Sequence, residues 1–153
     1  MENTYIKFAG VTGGAKAKGL EGWCEAVRWG YGCNQPTSAV AGTVKPPKHS
    51  PLTFVKYVDV ASDELLKALW AGKPLANVEL RCFRESGEPS ASPVLYLRIF
   101  LEHVIVKDYS VEGDGGDLSR ETIALDFRKI TWEYTDGPTK HVASHDLVQN
   151  VVA

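Results

Sequence analysis

Along most of this chain apolar and polar positions alternate with a period of two. That is the spacing of a strand whose side chains point in turn to opposite faces of a sheet. Residues 4–9 make a first such run, closed by Gly10 and the Gly13-Gly14 pair. Residues 23–31 make a second, which puts Trp23, Glu25, Val27, Trp29 and Tyr31 on one face and Cys24, Ala26, Arg28 and Gly30 on the other. A long punctuated stretch, 33–50, then carries Pro36, Gly42, Pro46 and Pro47. Proline removes a donor and fixes the backbone, so little of this stretch fits inside a sheet. A loop of this length is uncommon in a compact domain without a function. Residues 52–57 resume the strand pattern.

The period changes once. Leu65, Leu66, Leu69 and Trp70 form an apolar stripe at helical spacing, which predicts a short helix over 62–71 with these four residues as its core anchors. Asp59 or Ser62 is placed to cap it, Asp63 and Glu64 suit the positive end of its dipole, and Gly72 followed by Pro74 ends it. So short a helix draws its stability from docking, not from propensity.

Beyond it, residues 75–85 alternate with Ala76, Val78, Leu80 and Cys82 on one side. In 94–112 the apolar set runs Leu95, Leu97, Ile99, Leu101 and then jumps to Val104 and Val106, around Glu102-His103. A like slip separates Ile123, Leu125 and Phe127 from Ile130, Trp132 and Tyr134. A one-residue slip flips faces unless a bulge or bend absorbs it. Two long strands with one slip each predict strands bent at barrel corners, joined through the glycine-rich turn 113–117. After Gly137-Pro138 the tail 146–152 ends apolar, as a last edge strand. The fold class expected is mainly β, an antiparallel β-barrel of two packed sheets with bent strands and one short helix.

Composition then narrows the picture. The 153 residues fit one domain, 1–153, with no linker and no appended domain expected. A net charge of −2 with dispersed basic residues argues against a sequence-independent hold on nucleic acid. No apolar run approaches the roughly 20 residues that span a bilayer, so no membrane insertion is expected. The opening Met1-Glu2-Asn3-Thr4 lacks the regions of a secretory signal, which points to synthesis in the cytoplasm. Cys24, Cys33 and Cys82 form no C-x-x-C pair and read as reduced, mostly buried thiols.

Candidate chemistry is sparse. His141 and His145 have a spacing that on a helix would aim two ligands one way, but Gly137-Pro138 makes a helix start there doubtful. The two aspartates of 113–117 lack the further donors and distal glutamate of an EF-hand. His49 beside Ser50 would allow a catalytic pair, yet no G-x-S-x-G elbow exists. Glu79, Arg81, Arg84 and Glu85 read as a wet strand face. The expectation is no enzyme activity, no cofactor and no metal.

The run from Trp23 to Gly32 resembles the tryptophan-rich strand of the haemolysin-coregulated proteins, the Hcp tube subunits of type VI secretion systems, and Lys18-Gly19 before it fits too. The run from His49 to Ser62 is similar to that family's H-x-P-L-x-F-x-K-x-x-D-x-A-S element, which leads into its single helix. Tyr96–Ile99 with Val104–Val106, Ile130–Tyr134 and Asp146–Asn150 resemble its later strands and tail. Gly14-Ala15-Lys16 and Asp63 depart from the family pattern at loop and cap positions.

The resemblance implies a β-barrel with one helix that forms hexameric rings. Rings stack into the inner tube of a contractile sheath on a baseplate, a spike protein sits at the tube tip, and effector proteins travel in the lumen. It implies a protein that is cytoplasmic when assembled and then secreted without a cleaved signal peptide. It also gives the long loop a role between subunits or rings, at Thr43, Val44, Lys45, Pro46, Lys48 and His49. Two other readings stay open: a monomeric small-ligand-binding barrel, and the tube subunit of a related phage-tail-like injection device.

Overall fold

The computed structural model describes residues 2–40, 42–87, 92–116 and 118–153. In chain order the strands are β1 (Glu2–Phe8), β2 (Cys24–Ala26), β3 (Arg28–Gly30), β4 (Cys33–Asn34), β5 (Lys48–His49) and β6 (Leu52–Tyr57). The helix α1 (Ser62–Ala71) follows, and then β7 (Leu75–Arg84), β8 (Val94–Glu112), β9 (Arg120–Asp136), β10 (Thr139–Asp146) and β11 (Val151–Val152). The fold is mainly β, antiparallel, with bent strands and one helix, as the sequence pattern predicts.

The long hairpin β8–β9 is its spine. β7 pairs with β8, β1 with β7 and β2 with β1. The other side of β9 is divided: residues 129–136 pair with β10, and residues 120–125 pair with β6. β6 then pairs with β3. The sheet therefore curls until its ends meet at Val27, the single residue between β2 and β3. Its N–H donates to the Val55 carbonyl at 2.7 Å. The ladder path stays open, its ends β2 and β3 joined by the chain itself and not paired with one another.

The two slips read from the sequence lie at one level. Glu102 faces Lys129 and Val104 faces Phe127, with His103 between them at φ 52°. A left-handed backbone is uncommon for a residue with a Cβ, and here it turns β8 while β9 turns beside it. The corner extends into β7, where Leu75 pairs with Val104 and Asn77 with Glu102. As a result Leu75 is buried and Ala76 is exposed, the reverse of strict alternation back from Val78. A further shift falls between Val106 and Asp108.

The segment 23–31 also departs from its expected pattern. Its alternation does not hold through Val27, because there the chain leaves β1 and joins β6. Cys24 and Ala26 are buried before the crossing, and Trp29 and Tyr31 pack against the core after it. The tail differs too: β10 forms a hairpin with β9 across Gly137-Pro138, and Val151–Val152 adds two residues at its end. Of the predicted turn 113–117, Asp117 lies outside the described residues.

The core is built from Ile6, Phe8, Leu52, Phe54, Leu80, Ile99, Leu101, Ile123 and Leu125, each at 1% exposure or less. Onto it α1 sets Leu65 and Ala68, with Leu69 partly buried beside them. Leu66 is half-buried. Trp70 is not an anchor: it is 74% exposed. It lies five residues beyond Leu65, roughly 140° round the helix from the docked stripe. Ala68 holds the inward position instead. Neither Asp59 nor Ser62 caps the helix. At its other end Gly72, at φ 62°, donates to Leu69 O at 3.1 Å and Lys73 donates to Ala68 O at 3.0 Å, the left-handed stop expected of glycine.

Candidate functional site: a projecting hairpin on a histidine base

The long loop is an arm with a defined root. Gly32 accepts from Ser50 N at 2.8 Å, Cys33 pairs with His49 and Asn34 with Lys48, a two-stranded sheet apart from the main one. Further out, prolines deny the backbone a ladder and side chains substitute. Gln35 Nε2 donates to Lys45 O at 2.8 Å, and Lys45 N donates to Thr37 Oγ1 at 2.9 Å. These bonds pinch the loop shut and leave its tip bare: Val40 is 96% exposed and Val44 83%. Thr43, Val44, Lys45, Pro46 and Lys48 all lie exposed on this arm, whereas His49 sits half-buried at its root. The helix residues Leu65, Leu66, Leu69 and Trp70 belong to a different part of the molecule.

The root is fixed by side chains the sequence scatters. Tyr31 Oη stands 2.5 Å from His49 Nδ1, His49 Nε2 stands 2.9 Å from His145 Nδ1, and His145 Nε2 stands 2.8 Å from Asn150 Oδ1. The two imidazoles stack with centroids 5.0 Å apart, and Phe127 closes one side at 5.8 Å from the His49 ring. Burial holds the His49 pKa below its ordinary value, and the neighbouring His145 lowers it further. Burial raises that of Tyr31, with the nearby Cys33 adding to it. Both nitrogens of His49 are thus engaged, neither by Ser50.

His145 is buried, not a solvated tail residue as its position suggests. Its burial comes from β10, a strand that the weakly periodic run 139–146 does not announce. His141, on the same strand, is exposed and stacks on Tyr134. In an extended strand two residues four apart stand ~13 Å from one another, too far to share an ion. No group of three His, Cys, Asp or Glu side chains gathers into a metal-holding cluster among the described residues.

The element H-x-P-L-x-F-x-K-x-x-D-x-A-S has a second role. Lys56 Nζ reaches Glu121 Oε1 at 2.6 Å, Asp59 Oδ1 at 2.7 Å and Ser62 Oγ at 3.3 Å. Ser62 Oγ donates to Glu121 Oε1 at 2.7 Å, and Tyr109 Oη donates to Glu121 Oε2. Asp59 also accepts from Ala61 N at 2.9 Å and Gly14 N at 3.2 Å. The cluster ties β6, β8, β9 and the start of α1 to the first loop. Beside it the Cys24 thiol is pushed up to about 12, chiefly by burial and then by the charge of Asp59, so it stays protonated at neutral pH.

A third polar group lies across β7, β8, β9 and β10. Glu79 accepts from Arg81 and from Arg98 Nε, the latter at 2.8 Å, and Glu133 lies 3.7 Å from Arg98 Nη1 and 3.6 Å from Lys140. It is the partly wetted face that strand alternation predicts.

This bent antiparallel sheet with one docked helix superposes on type VI secretion proteins of known structure. One solved structure of a type six secretion system protein superposes with a TM-score of 0.89 over 100% of both chains, at 25% identity. Hcp1 of Salmonella typhimurium superposes with a TM-score of 0.85 over 99% of both chains, at 26% identity. Residues 5–134 match the family described as type VI secretion system effector, Hcp, and the chain belongs to that family. Protein hcp1 of Pseudomonas aeruginosa is 31% identical over 112 residues, covering 67% of this chain and 66% of that protein's length. None of the described helices is long and apolar enough to cross a membrane.

Proposed function

We propose that this chain is the tube subunit of a type VI secretion system: one domain whose copies close into six-membered rings. The rings stack into an inner tube that sheath contraction expels behind a spike, with effector proteins in the lumen. The protein is made in the cytoplasm and leaves the cell with the tube. The observation that carries this reading is the arm, where Val40 and Val44 stand 96% and 83% exposed on a hairpin pinned at its root. Apolar side chains held out together on a pinned loop are accounted for when another surface covers them.

The outer edge of β10 supports the same reading. Among the described residues its ladder to β11 takes in only His145 and Asp146, extended by a Ser144–Ala153 pair, which leaves residues 139–143 without a strand on that side. Open edges and apolar tips are satisfied together when one surface meets a different surface on the next copy with a rotation that closes. A ligand-binding barrel fits less well, because apolar side chains of β1, β2, β6, β7, β8, β9 and α1 pack into one core cluster. A non-catalytic role is favoured by His49, whose nitrogens are both engaged, and by Cys24, whose thiol is held protonated.

The test is size-exclusion chromatography with light scattering on the purified full chain, followed by negative-stain electron microscopy. The expected result is a mass of six subunits and annular particles. A monomer at tens of micromolar would remove the basis for the proposal.

A further inference from the structure

The side chains at the root of the arm form a one-way relay of hydrogens. With both imidazoles neutral and the carboxamide oxygen of Asn150 accepting, His145 Nε2 donates and its Nδ1 accepts. His49 Nε2 therefore donates to His145, and His49 Nδ1 takes the Tyr31 hydroxyl hydrogen. Both imidazoles are neutral in this arrangement, and each ring nitrogen has one partner. The relay joins three separate pieces of chain: the segment entering the arm, the arm's return strand β5, and the C-terminal strands.

We propose that the Tyr31–His49–His145–Asn150 relay is a proton-operated latch on the projecting hairpin, so that acid loosens the arm and with it the assembly of copies. The link to assembly rests on the function proposed above; the latch itself does not. A first added proton has one place to go, His49 Nδ1, because the shared hydrogen already occupies the other gap. It reverses the Tyr31 bond and puts a cation in a half-buried aromatic setting. A second proton sets two N–H groups head to head across 2.9 Å, which breaks the link between β5 and β10.

Among the described residues, the groups that face the pair offer no carboxylate to hold the charge. They are Tyr31 and Cys33 from the entry to the arm, Phe127 from β9, and Asn150 from the turn before β11. Across the ladders His145 meets Ile130 and Val152. Asp146 alternates to the other face and spends its carboxylate on Val148 N and Gln149 N, each at 3.0 Å. Opposite it, Lys129 points to Glu102 at 3.8 Å. The lowered His49 pKa agrees with this setting. A histidine whose folded pKa is depressed contributes stability that is present above its unfolded value, about 6.5, and lost as pH falls through the folded one.

The test is hydrogen exchange of the full chain at pH 7.5 and pH 5, corrected for intrinsic rates, with mass by light scattering at both. Protection of residues 33–50 should fall ~10-fold or more in acid while β7 and β8 hold theirs. The double change His49→Gln/His145→Gln should make protection of the arm independent of pH, whereas His145→Gln alone should keep the smaller loss that follows from His49. Asn150→Asp, a conservative change at a left-handed position, should move the loss to higher pH by favouring a charged His145. Unchanged protection of the wild-type arm between the two pH values overturns the latch, whatever the mass. If protection falls as expected but the protein is a monomer at both pH values, the latch stands and the assembly reading fails. If protection falls while a ring persists unchanged, the arm does not govern assembly and that half is overturned.

Discussion

The ammonium of Lys56 stands 2.6 Å from Glu121 Oε1, and neither residue is exposed to solvent. Sixty-five positions separate them in the chain, on β6 and β9, where Lys56 and Glu121 are directly paired. Withdrawing two charges from water is costly, and their attraction offsets it only when the remaining lone pairs and hydrogens are also satisfied. Ser62, Tyr109 and Asp59 meet that condition. The residues that make the approach to the helix distinctive in sequence are thus those that fix α1 to the sheet. Only His49, at the start of that element, belongs to the root of the arm.

Removing one partner strands the other. Lys56→Met should lower the unfolding free energy by about 3–5 kcal/mol in urea denaturation, because Glu121 remains buried without its cation. The double change Lys56→Met/Glu121→Leu should recover more than half of that loss. A double variant as unstable as the single one would mean that the pair is not what the site depends on.

Asp59 gives the cluster a pH dependence. Burial raises its pKa, but the hydrogen bond from Lys56, the Ala61 amide and the Lys56 charge together bring it below the ordinary carboxylate value. A depressed folded pKa means stability present above the unfolded value, near 3.9, and lost as pH falls through the folded one. Thermal midpoints measured between pH 6 and pH 2 should therefore drop less steeply in Asp59→Asn than in the wild type. Parallel curves would exclude Asp59 as a source of the acid loss.

The helix separates two residues that look alike in the sequence. Leu65→Ala should cost about 2–5 kcal/mol by opening a cavity against the core. Trp70→Ala, at a site 74% exposed, should change stability by no more than about 0.5 kcal/mol. Equal losses from the two in chemical denaturation would place Trp70 in the docked face after all.

Much of this architecture was legible where two levels of pattern agreed. The slips at Glu102-His103 and between Phe127 and Ile130 announced a corner because long alternating runs surround them. Other features depend on pairing, which alternation within one segment does not carry. The face change at Val27 arises because β2 and β3 have different neighbours. Strand β10, with Thr, Lys, His, Val, Ala, Ser and His in succession, has no strong apolar period and is held by the ladder to β9. The site was only partly legible for the same reason. The arm's prolines stand out, whereas the bond between His49 and His145 joins residues 96 positions apart.

Close approach makes a contrast between adjacent glycines. A Cβ on Gly13 would stand 2.5 Å from Trp23 O and 2.6 Å from Cys24 Sγ, and the first of these is backbone. Gly13→Ala should cost about 1–3 kcal/mol or more, since the first loop must move off β2. A Cβ on Gly14 meets only Asp59, at 3.5 Å, an ordinary contact. Gly14→Ala should be nearly neutral, and calorimetry on the two proteins decides between them.

The arm allows folding and assembly to be tested separately. Cutting out residues 42–48 would also remove Lys45, whose backbone closes the pinch, and Lys48, which pairs with Asn34 at the root. The paired change Val40→Ser/Val44→Ser is cleaner, because neither side chain is buried in the single subunit. Exposed substitutions of this kind move stability by about 0.5 kcal/mol or less. If another copy covers both valines, each loses a burial worth roughly 1.5–3 kcal/mol at full coverage. Repeated at every contact around a ring or between rings, that loss should shift the assembly midpoint to at least ~10-fold higher concentration, since each 1.4 kcal/mol is a factor of ten. Sedimentation velocity across a dilution series reads the midpoint, and circular dichroism melting reads the fold. An unchanged midpoint with an unchanged melt would show that the valines meet nothing, and the arm's role in assembly would have to be given up.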